Sequence, residues 1–197
     1  MAKTTLNPNR LRRKIAVYRR WRRPRWREFK LKILRLFMRF APKESQRVFA
    51  LTLIVGALCG LAAVGFHLAI IKVEDFLIGS ALIAPGYNWL WLTVLTPTLG
   101  GLLSGVLLAY VVPGARGSGI PQVKVAYEIK GGRLPLRDSV GKFFVGALQI
   151  GSGASLGREG PTVHICAGIA SVLGRTFALS QQNLKRLLPV GAAAGIA

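Results

Sequence analysis

Two long windows of the chain are apolar and contain no formal charge. The first runs from residue 48 to 71 and the second from residue 89 to 112, so each holds 24 residues. A helix of about 20 apolar residues is long enough to cross the hydrocarbon core of a bilayer. Buried helices of a soluble protein are the alternative, but they are rarely uncharged over such a length. The pattern therefore predicts two transmembrane helices.

Two shorter apolar segments follow, at 143–157 and 160–174, and Arg158 and Glu159 lie between them. With 15 residues each, they are too short to cross a bilayer comfortably. Short apolar segments interrupted by glycine are typical of the broken helices that form transport sites near the middle of a membrane. Partial helices at a protein interface are the alternative. We predict an all-α, multi-pass membrane protein with tilted and broken helices, its membrane domain covering 44–197.

Basic residues are concentrated before the first apolar window. The formal net charge of the chain is +21, and residues 1–47 hold 17 Lys or Arg against two acids, a net charge of +15. We interpret residues 1–26 as a basic cytoplasmic arm and residues 27–43 as a basic amphipathic helix at the membrane interface. The charge of the arm favours binding to anionic lipid over nucleic acid. A solvated tail that only sets the topology is an equally good interpretation.

The other charges predict the orientation and exclude several functions. Residues 113–142 contain six Lys or Arg and residues 72–88 contain one, so the N-terminus and the 113–142 region should be cytoplasmic. The membrane would be a plasma or inner membrane. No catalytic constellation of His or Cys is visible, and Cys59 and Cys166 lack the spacing of metal ligands. We therefore expect no enzyme activity, no metal and no cofactor.

The first glycine-rich motif is GSGIP, at 117–121. Pro121 suits the first turn of a helix, and the two glycines allow a tight turn with accessible backbone amides. The start of a helix presents unpaired N–H groups and a partial positive charge, which together can bind an anion. Ser118 adds a hydroxyl donor. By itself, the motif is equally compatible with a capped turn before a surface helix.

The second motif, GSGASLGREGP at 151–161, joins the two short apolar segments. Pro161 marks a helix start and so places Glu159 at the N-terminal end of a helix, where the dipole favours a carboxylate. An ionised Glu159 would occupy the position that a passing anion needs, and its protonation would free that position. A stabilising cap neutralised by Arg158 is the alternative. Because ionisable residues at membrane depth are costly and usually functional, we interpret Glu159 as a gate.

Together, the two motifs resemble those of the CLC family of chloride channels and chloride/proton antiporters. The resemblance rests on GSGIP followed by GKFFVGALQIGSGASLGREGP, and it extends from about Val48 to the end of the chain. It implies the first part of an inverted-repeat CLC fold, in which helix N-termini converge on chloride. It also implies that the transported ions are chloride and, in the exchangers, protons, and that the full-length protein is a homodimer in the lipid bilayer.

The resemblance further implies a role for each motif residue. Glu159 would be the gate and the external proton acceptor. The chloride-binding residues would be Ser118, Gly119, Ile120, Arg158 and Gly160. The residues that maintain the structure of the motifs would be Gly117, Pro121, Gly157 and Pro161.

The sequence ends at GAAAGIA, before the later GxFxP motif, the chloride-site tyrosine and the internal proton glutamate of the family. We therefore expect an N-terminal fragment of a CLC protein. The alternative function is that of a truncated, non-transporting membrane protein whose basic arm binds anionic lipid or nucleic acid. The two motifs do not distinguish a channel from an exchanger.

Overall fold

The computed structural model describes residues 44–79 and 88–197, and no strand occurs in these two ranges. The helices are α1 (Glu44–Glu74), α2 (Asn88–Val106), α3 (Ile120–Glu128), α4 (Leu136–Gly151), α5 (Glu159–Thr176) and α6 (Gln181–Ala194). Two π-helical turns, Asp75–Gly79 and Leu107–Val111, continue α1 and α2, and a 3-10 turn follows at Pro113–Ala115. The all-α prediction is therefore confirmed. The predicted basic arm (1–26) and interfacial helix (27–43) lie outside the described residues.

The helices α1 and α2 coincide with the two uncharged windows of the sequence. Together with their π-helical turns, they form apolar helices at Gln46–Gly79 and Trp89–Val111 that are long enough to cross a membrane. Large apolar side chains remain exposed along both helices, among them Phe49, Leu61 and Trp91. Exposed apolar surface of this extent suits contact with lipid better than contact with water.

One stripe of α1 faces the protein interior. Its buried side chains are Leu51, Val55, Cys59, Phe66 and Ile70, which recur at helical spacing along one side of the helix. Near the end of the stripe, Phe66 and Ile70 pack in one cluster with Ala147 of α4 and Ile165 of α5. This packing attaches the first apolar helix to both helices that flank the second glycine-rich motif.

The predicted break between the two short apolar segments is present, and the first segment belongs in part to a helix that begins earlier. Helix α4 has 16 residues and begins at Leu136, whereas the apolar segment begins at residue 143. The additional turns contain Lys142, whose side chain is only 7% exposed. The uncharged stretch of the sequence begins after this lysine, but the helix buries the lysine as well. Helix α5 has 18 residues, and residues 152–158 between the two helices are non-helical.

Helix α5 occupies the centre of the helices that follow α2. It packs against α4 on one side and against α3 and α6 on others. Ala126 of α3, Leu134, Ala167 of α5 and Leu188 of α6 form one buried cluster. Because its neighbours hold α5 on several sides, the position of its N-terminal residue Glu159 is well defined by the fold.

Candidate functional site

The GSGIP motif forms a tight turn that leads directly into α3. Gly117 and Gly119 have φ angles of 75° and 105°, which residues with a side chain rarely adopt. Helix α3 begins at Ile120, and the amide of Val123 bonds to the carbonyl oxygen of Gly119 at 3.2 Å. The earlier amides of the helix have no acceptor inside it. The predicted helix start, with Pro121 in the first turn, is confirmed.

The GREGP motif forms the start of α5 in a similar way. Glu159 is the first residue of the helix, and Pro161 lies in its first turn. The amide of Thr162 bonds to the carbonyl oxygen of Arg158 at 3.1 Å, so the amides of Glu159 and Gly160 precede the first bond of the helix. The predicted position of Glu159 at a helix N-terminus is confirmed.

The two helix starts meet backbone to backbone at Gly119 and Gly160. A Cβ atom on Gly160 would lie 2.5 Å from the carbonyl oxygen of Ser118, and one on Gly119 would lie 2.7 Å from the carbonyl oxygen of Gly160. Both distances are too short for real contacts, so only glycine permits this approach. The structure therefore brings together two motifs that are about thirty residues apart in the chain.

Most of the predicted site residues line one cleft of about 490 Å³. Its lining includes Gly117, Ser118, Ile120, Gly157, Glu159, Gly160 and Pro161. The side chains of Ser118 and Glu159 are exposed, and neither forms a hydrogen bond or an ion pair with another described residue. A hydroxyl donor and a carboxylate thus reach the same open space next to two helix N-termini.

Two of the predicted chloride-binding residues do not line the cleft. Gly119 is a buried residue of the turn. The guanidinium of Arg158 lies 3.1 Å from Nδ1 of His67 on α1. Because a guanidinium can only donate, the imidazole nitrogen is the acceptor. Arg158 is thus directed towards α1. A cap neutralised by Arg158 would require the guanidinium to point towards the carboxylate of Glu159 instead.

Lys142 of α4 also lines the cleft, and sequence reasoning had counted it only as a topology-determining charge. Its ammonium donates a hydrogen bond to the carbonyl oxygen of Ala115 at 2.9 Å and a second one to that of Gly117. These bonds offset part of the cost of burying the charge. A basic residue directly before an apolar run was the only signal in the sequence that could have indicated this position.

The chemistry of the cleft favours an anion. Helix N-termini, a hydroxyl and a buried ammonium all interact favourably with negative charge. No group of three or more His, Cys, Asp or Glu that could hold a metal ion occurs within residues 44–79 and 88–197. Unlike the helix N-termini, the hydroxyl and the ammonium, the carboxylate of Glu159 is itself negative. It would compete with an anion for the same donors.

Comparisons with known proteins show which proteins this chain resembles. The family model described as voltage gated chloride channel matches residues 100–197, which contain both motifs. A ClcB-like protein of Ralstonia nicotianae, named for its likeness to a chloride channel protein, is 32% identical over 151 residues, covering 73% of this chain and 35% of the relative. The X-ray structure of a slow cyanobacterial Cl⁻/H⁺ antiporter matches with a TM-score of 0.67 and 31% identity, covering 76% of this chain and 36% of the other. The chain thus spans about a third of the length of both relatives.

Proposed function

Because this chain belongs to the CLC family of voltage-gated chloride channels, we propose that it contributes to a transmembrane chloride pathway and that Glu159 is the gate of this pathway. The chain is a membrane protein with the helical fold of that family. The observation that carries the proposal is the meeting of two helix N-termini at Gly119 and Gly160, with Ser118 and Glu159 lining the same cleft.

The donors of the cleft suit an anion that must both bind and leave. A chloride ion that enters the membrane loses water and needs donors in its place. The amides at the starts of α3 and α5 and the hydroxyl of Ser118 are such donors. They carry only partial charges and therefore do not trap the ion. The full charge of Lys142 is shared with two backbone carbonyl oxygens.

Glu159 couples this site to protons. When ionised, its carboxylate is attracted to the same helix dipole and amides that attract chloride. When protonated, it loses most of this attraction, and chloride can take its place. A proton taken up by Glu159 thus accompanies the entry of an anion. In an exchanger the proton continues across the membrane, whereas in a channel it only opens the gate.

We further propose that the N-terminus and the basic 113–142 region lie in the cytoplasm and that the assembled protein is a homodimer in a plasma or inner membrane. The support for the orientation is the excess of Lys and Arg in these two regions over the 72–88 loop. The proposed homodimer rests on family membership alone.

The test is a flux assay in chloride-loaded liposomes, with chloride and pH electrodes recording both ions. The 197-residue chain is tested in parallel with any longer product of the same gene, because the chain spans about a third of the length of its relatives. We expect valinomycin to start chloride efflux. In an exchanger a chloride gradient also drives proton movement, which a channel does not support.

The variant Glu159→Ala tests the gate. We expect chloride flux to persist without proton coupling and without its dependence on external pH. The matched control is Glu128→Ala, since Glu128 is an exposed acid outside the cleft. Absence of chloride flux from every product would reject the transport function. A Glu159 variant with the coupling and pH dependence of the wild type would reject the gate.

A further inference from the structure

A second cavity lies next to the GSGIP turn and shares no lining residue with the chloride cleft. Its volume is about 430 Å³. The polar and charged residues that line it are Arg116, Gln122, Lys130, Asp138 and His164. Every lining residue except His164 comes from the basic segment between residues 113 and 138. By the positive-inside rule, this segment faces the cytoplasm.

His164 of α5 is the most deeply buried polar residue of this cavity. Its side chain is 1% exposed, and its Nδ1 lies 3.4 Å from the carbonyl oxygen of Gly119. A carbonyl oxygen only accepts, so Nδ1 carries the hydrogen and the lone pair of the neutral ring is on Nε2. This Nε2 atom is buried and has no hydrogen-bond partner among the described residues.

A second acceptor of the same cavity is in the same situation. The Oε1 atom of Gln122 is buried without a partner, whereas its amide nitrogen donates to the carbonyl oxygen of Arg116. Buried polar atoms in native proteins are nearly always hydrogen-bonded to protein or to water. Two buried, unpaired acceptors beside one polar cavity therefore favour a donor such as water, which a small movement of the cavity wall would admit to Nε2.

The ring of His164 supports the turn that forms the anion site. A Cβ atom on Gly119 would lie 2.8 Å from the Cβ atom of His164, so the side chain packs directly against this glycine. Gly119 stands between Ser118 and Ile120, which supply the hydroxyl and the first amide of the chloride cleft. A proton on Nε2 would strengthen the bond from Nδ1 to Gly119 and add positive charge behind these donors.

The charged groups around the ring come from several elements. Asp138 and Lys142 of α4 are the charged side chains that act on the imidazole. Arg116 and Lys130 line the same cavity from the segments on either side of α3. Burial of the ring opposes its protonation most strongly, and the three cations oppose it as well, whereas the hydrogen bond to Gly119 and the charge of Asp138 favour it. The response of His164 to pH thus depends on its burial as well as on these groups.

We propose that His164 is a positioning residue through which the chloride site responds to the proton concentration on the side of the 113–138 segment. It acts through the carbonyl of Gly119 and does not contact chloride. The proposal rests on the chloride transport proposed above. It adds a second titrating position on α5, separate from the carboxylate of Glu159.

The experiment measures chloride flux at subsaturating chloride while the pH is varied between about 4 and 8, a range that extends below the usual one for histidine because burial of the ring opposes its protonation. The Glu159→Gln background removes the titration of the gate. We expect flux to rise by about fivefold towards acid pH, the effect of converting a neutral hydrogen bond into a charge-assisted one. When a buffer holds the pH of one side of the membrane constant, flux should respond only to the pH on the side that the 113–138 segment faces.

Two substitutions of His164 separate titration from packing. In His164→Asn, the side-chain amide can still donate to Gly119 but takes up no proton, so flux should persist and the acid response should disappear. In His164→Leu, the hydrogen bond is lost as well, and flux should fall at every pH. The matched control is His67→Asn, which removes the other histidine of the chain and should keep the acid response.

The outcomes distinguish this inference from the function on which it rests. An acid response that survives His164→Asn would overturn the role of His164 and leave the chloride pathway intact. The same holds if the response is absent from the Glu159→Gln background. If no product moves chloride at any pH, the proposed transport itself fails. Elution of the His164→Asn protein as a single species would confirm that it is folded. A lost acid response could then not be attributed to misfolding.

Discussion

The ammonium group of Lys142 donates a hydrogen bond to the carbonyl oxygen of Gly117, the first residue of the GSGIP turn. The same group bonds to the carbonyl oxygen of Ala115 at 2.9 Å. A single buried charge on α4 therefore holds the backbone that enters the proposed anion site and also contributes positive potential to the cleft. This relationship connects α4 with a turn that lies 25 residues earlier in the chain.

Replacing Lys142 by Met should lower both stability and chloride affinity. Met preserves the apolar stem but removes both hydrogen bonds, and it leaves the buried carbonyl of Ala115 unpaired at a cost of about 1–3 kcal/mol. The loss of positive charge beside the cleft weakens anion binding as well. We expect a lower Tm in detergent and a higher chloride concentration at half-maximal flux.

The control for this substitution is Lys124→Met. Lys124 is an exposed lysine of α3 that does not line the cleft, so its loss changes the net charge equally without touching the turn. Equal effects of the two substitutions would mean that Lys142 acts only through the overall charge of the protein.

A methyl group on Gly160 should disrupt the meeting of the two helix starts. In Gly160→Ala, the new Cβ would be 2.5 Å from the carbonyl oxygen of Ser118. Because this neighbour is backbone, relief requires separation of α3 from α5, at about 1–3 kcal/mol. We expect chloride flux to fall by about tenfold, the equivalent of about 1.4 kcal/mol. The comparison is Gly60→Ala, where a Cβ would meet nothing within 4 Å, and an equal loss there would refute the explanation.

The positions of the motif residues could be predicted from the sequence because their determinants are local. Glycine and proline restrict the backbone of their immediate neighbours, and so Ser118 and Glu159 were placed correctly at two helix starts. The resemblance to a family then supplied the expectation that the two starts converge. Neither motif alone contains that information, since the contact between Gly119 and Gly160 is tertiary.

The contacts of the basic residues could not be predicted in this way. Arg158 and His67 are 91 residues apart, and Lys142 and Gly117 are 25 residues apart. A charge in a sequence indicates a preference for polar partners, but the partner is chosen by how the helices pack. For this reason the sequence does not predict the burial of Lys142 or the bond between Arg158 and His67.

Arg158 offers a direct test of that assignment. If its guanidinium acts by fastening the start of α5 to α1, His67→Ala and Arg158→Ala should lower chloride affinity by the same small factor. We expect less than about fivefold for each, because an exposed polar pair contributes below about 1 kcal/mol. The double variant should be no worse than either single one. A large loss in Arg158→Ala alone would instead support direct contact with chloride.

A buried pair of thiols provides a test of whether α5 moves during transport. Cys59 of α1 and Cys166 of α5 are both free and fully buried. Each sulfur contacts the carbonyl oxygen of the other residue, at 3.6 and 3.7 Å. These reciprocal contacts place both thiols at one contact between α1 and α5, so a disulfide between them would join the two helices. We expect copper phenanthroline with oxygen as the oxidant to link them, and mass spectrometry after alkylation to identify the product.

The linked protein should retain chloride flux within about twofold of the reduced protein and should have a higher Tm, because a cross-link restricts the unfolded chain. The physical reason is that Phe66 and Ile165 already pack α1 against α5, and the proposed gate opens by movement of the Glu159 side chain without movement of its helix. The variant Cys59→Ser, which cannot form the bond, controls for other effects of the oxidant. A loss of flux that a reductant reverses would show that α5 must shift against α1. The proposal that only the Glu159 side chain moves would then be wrong.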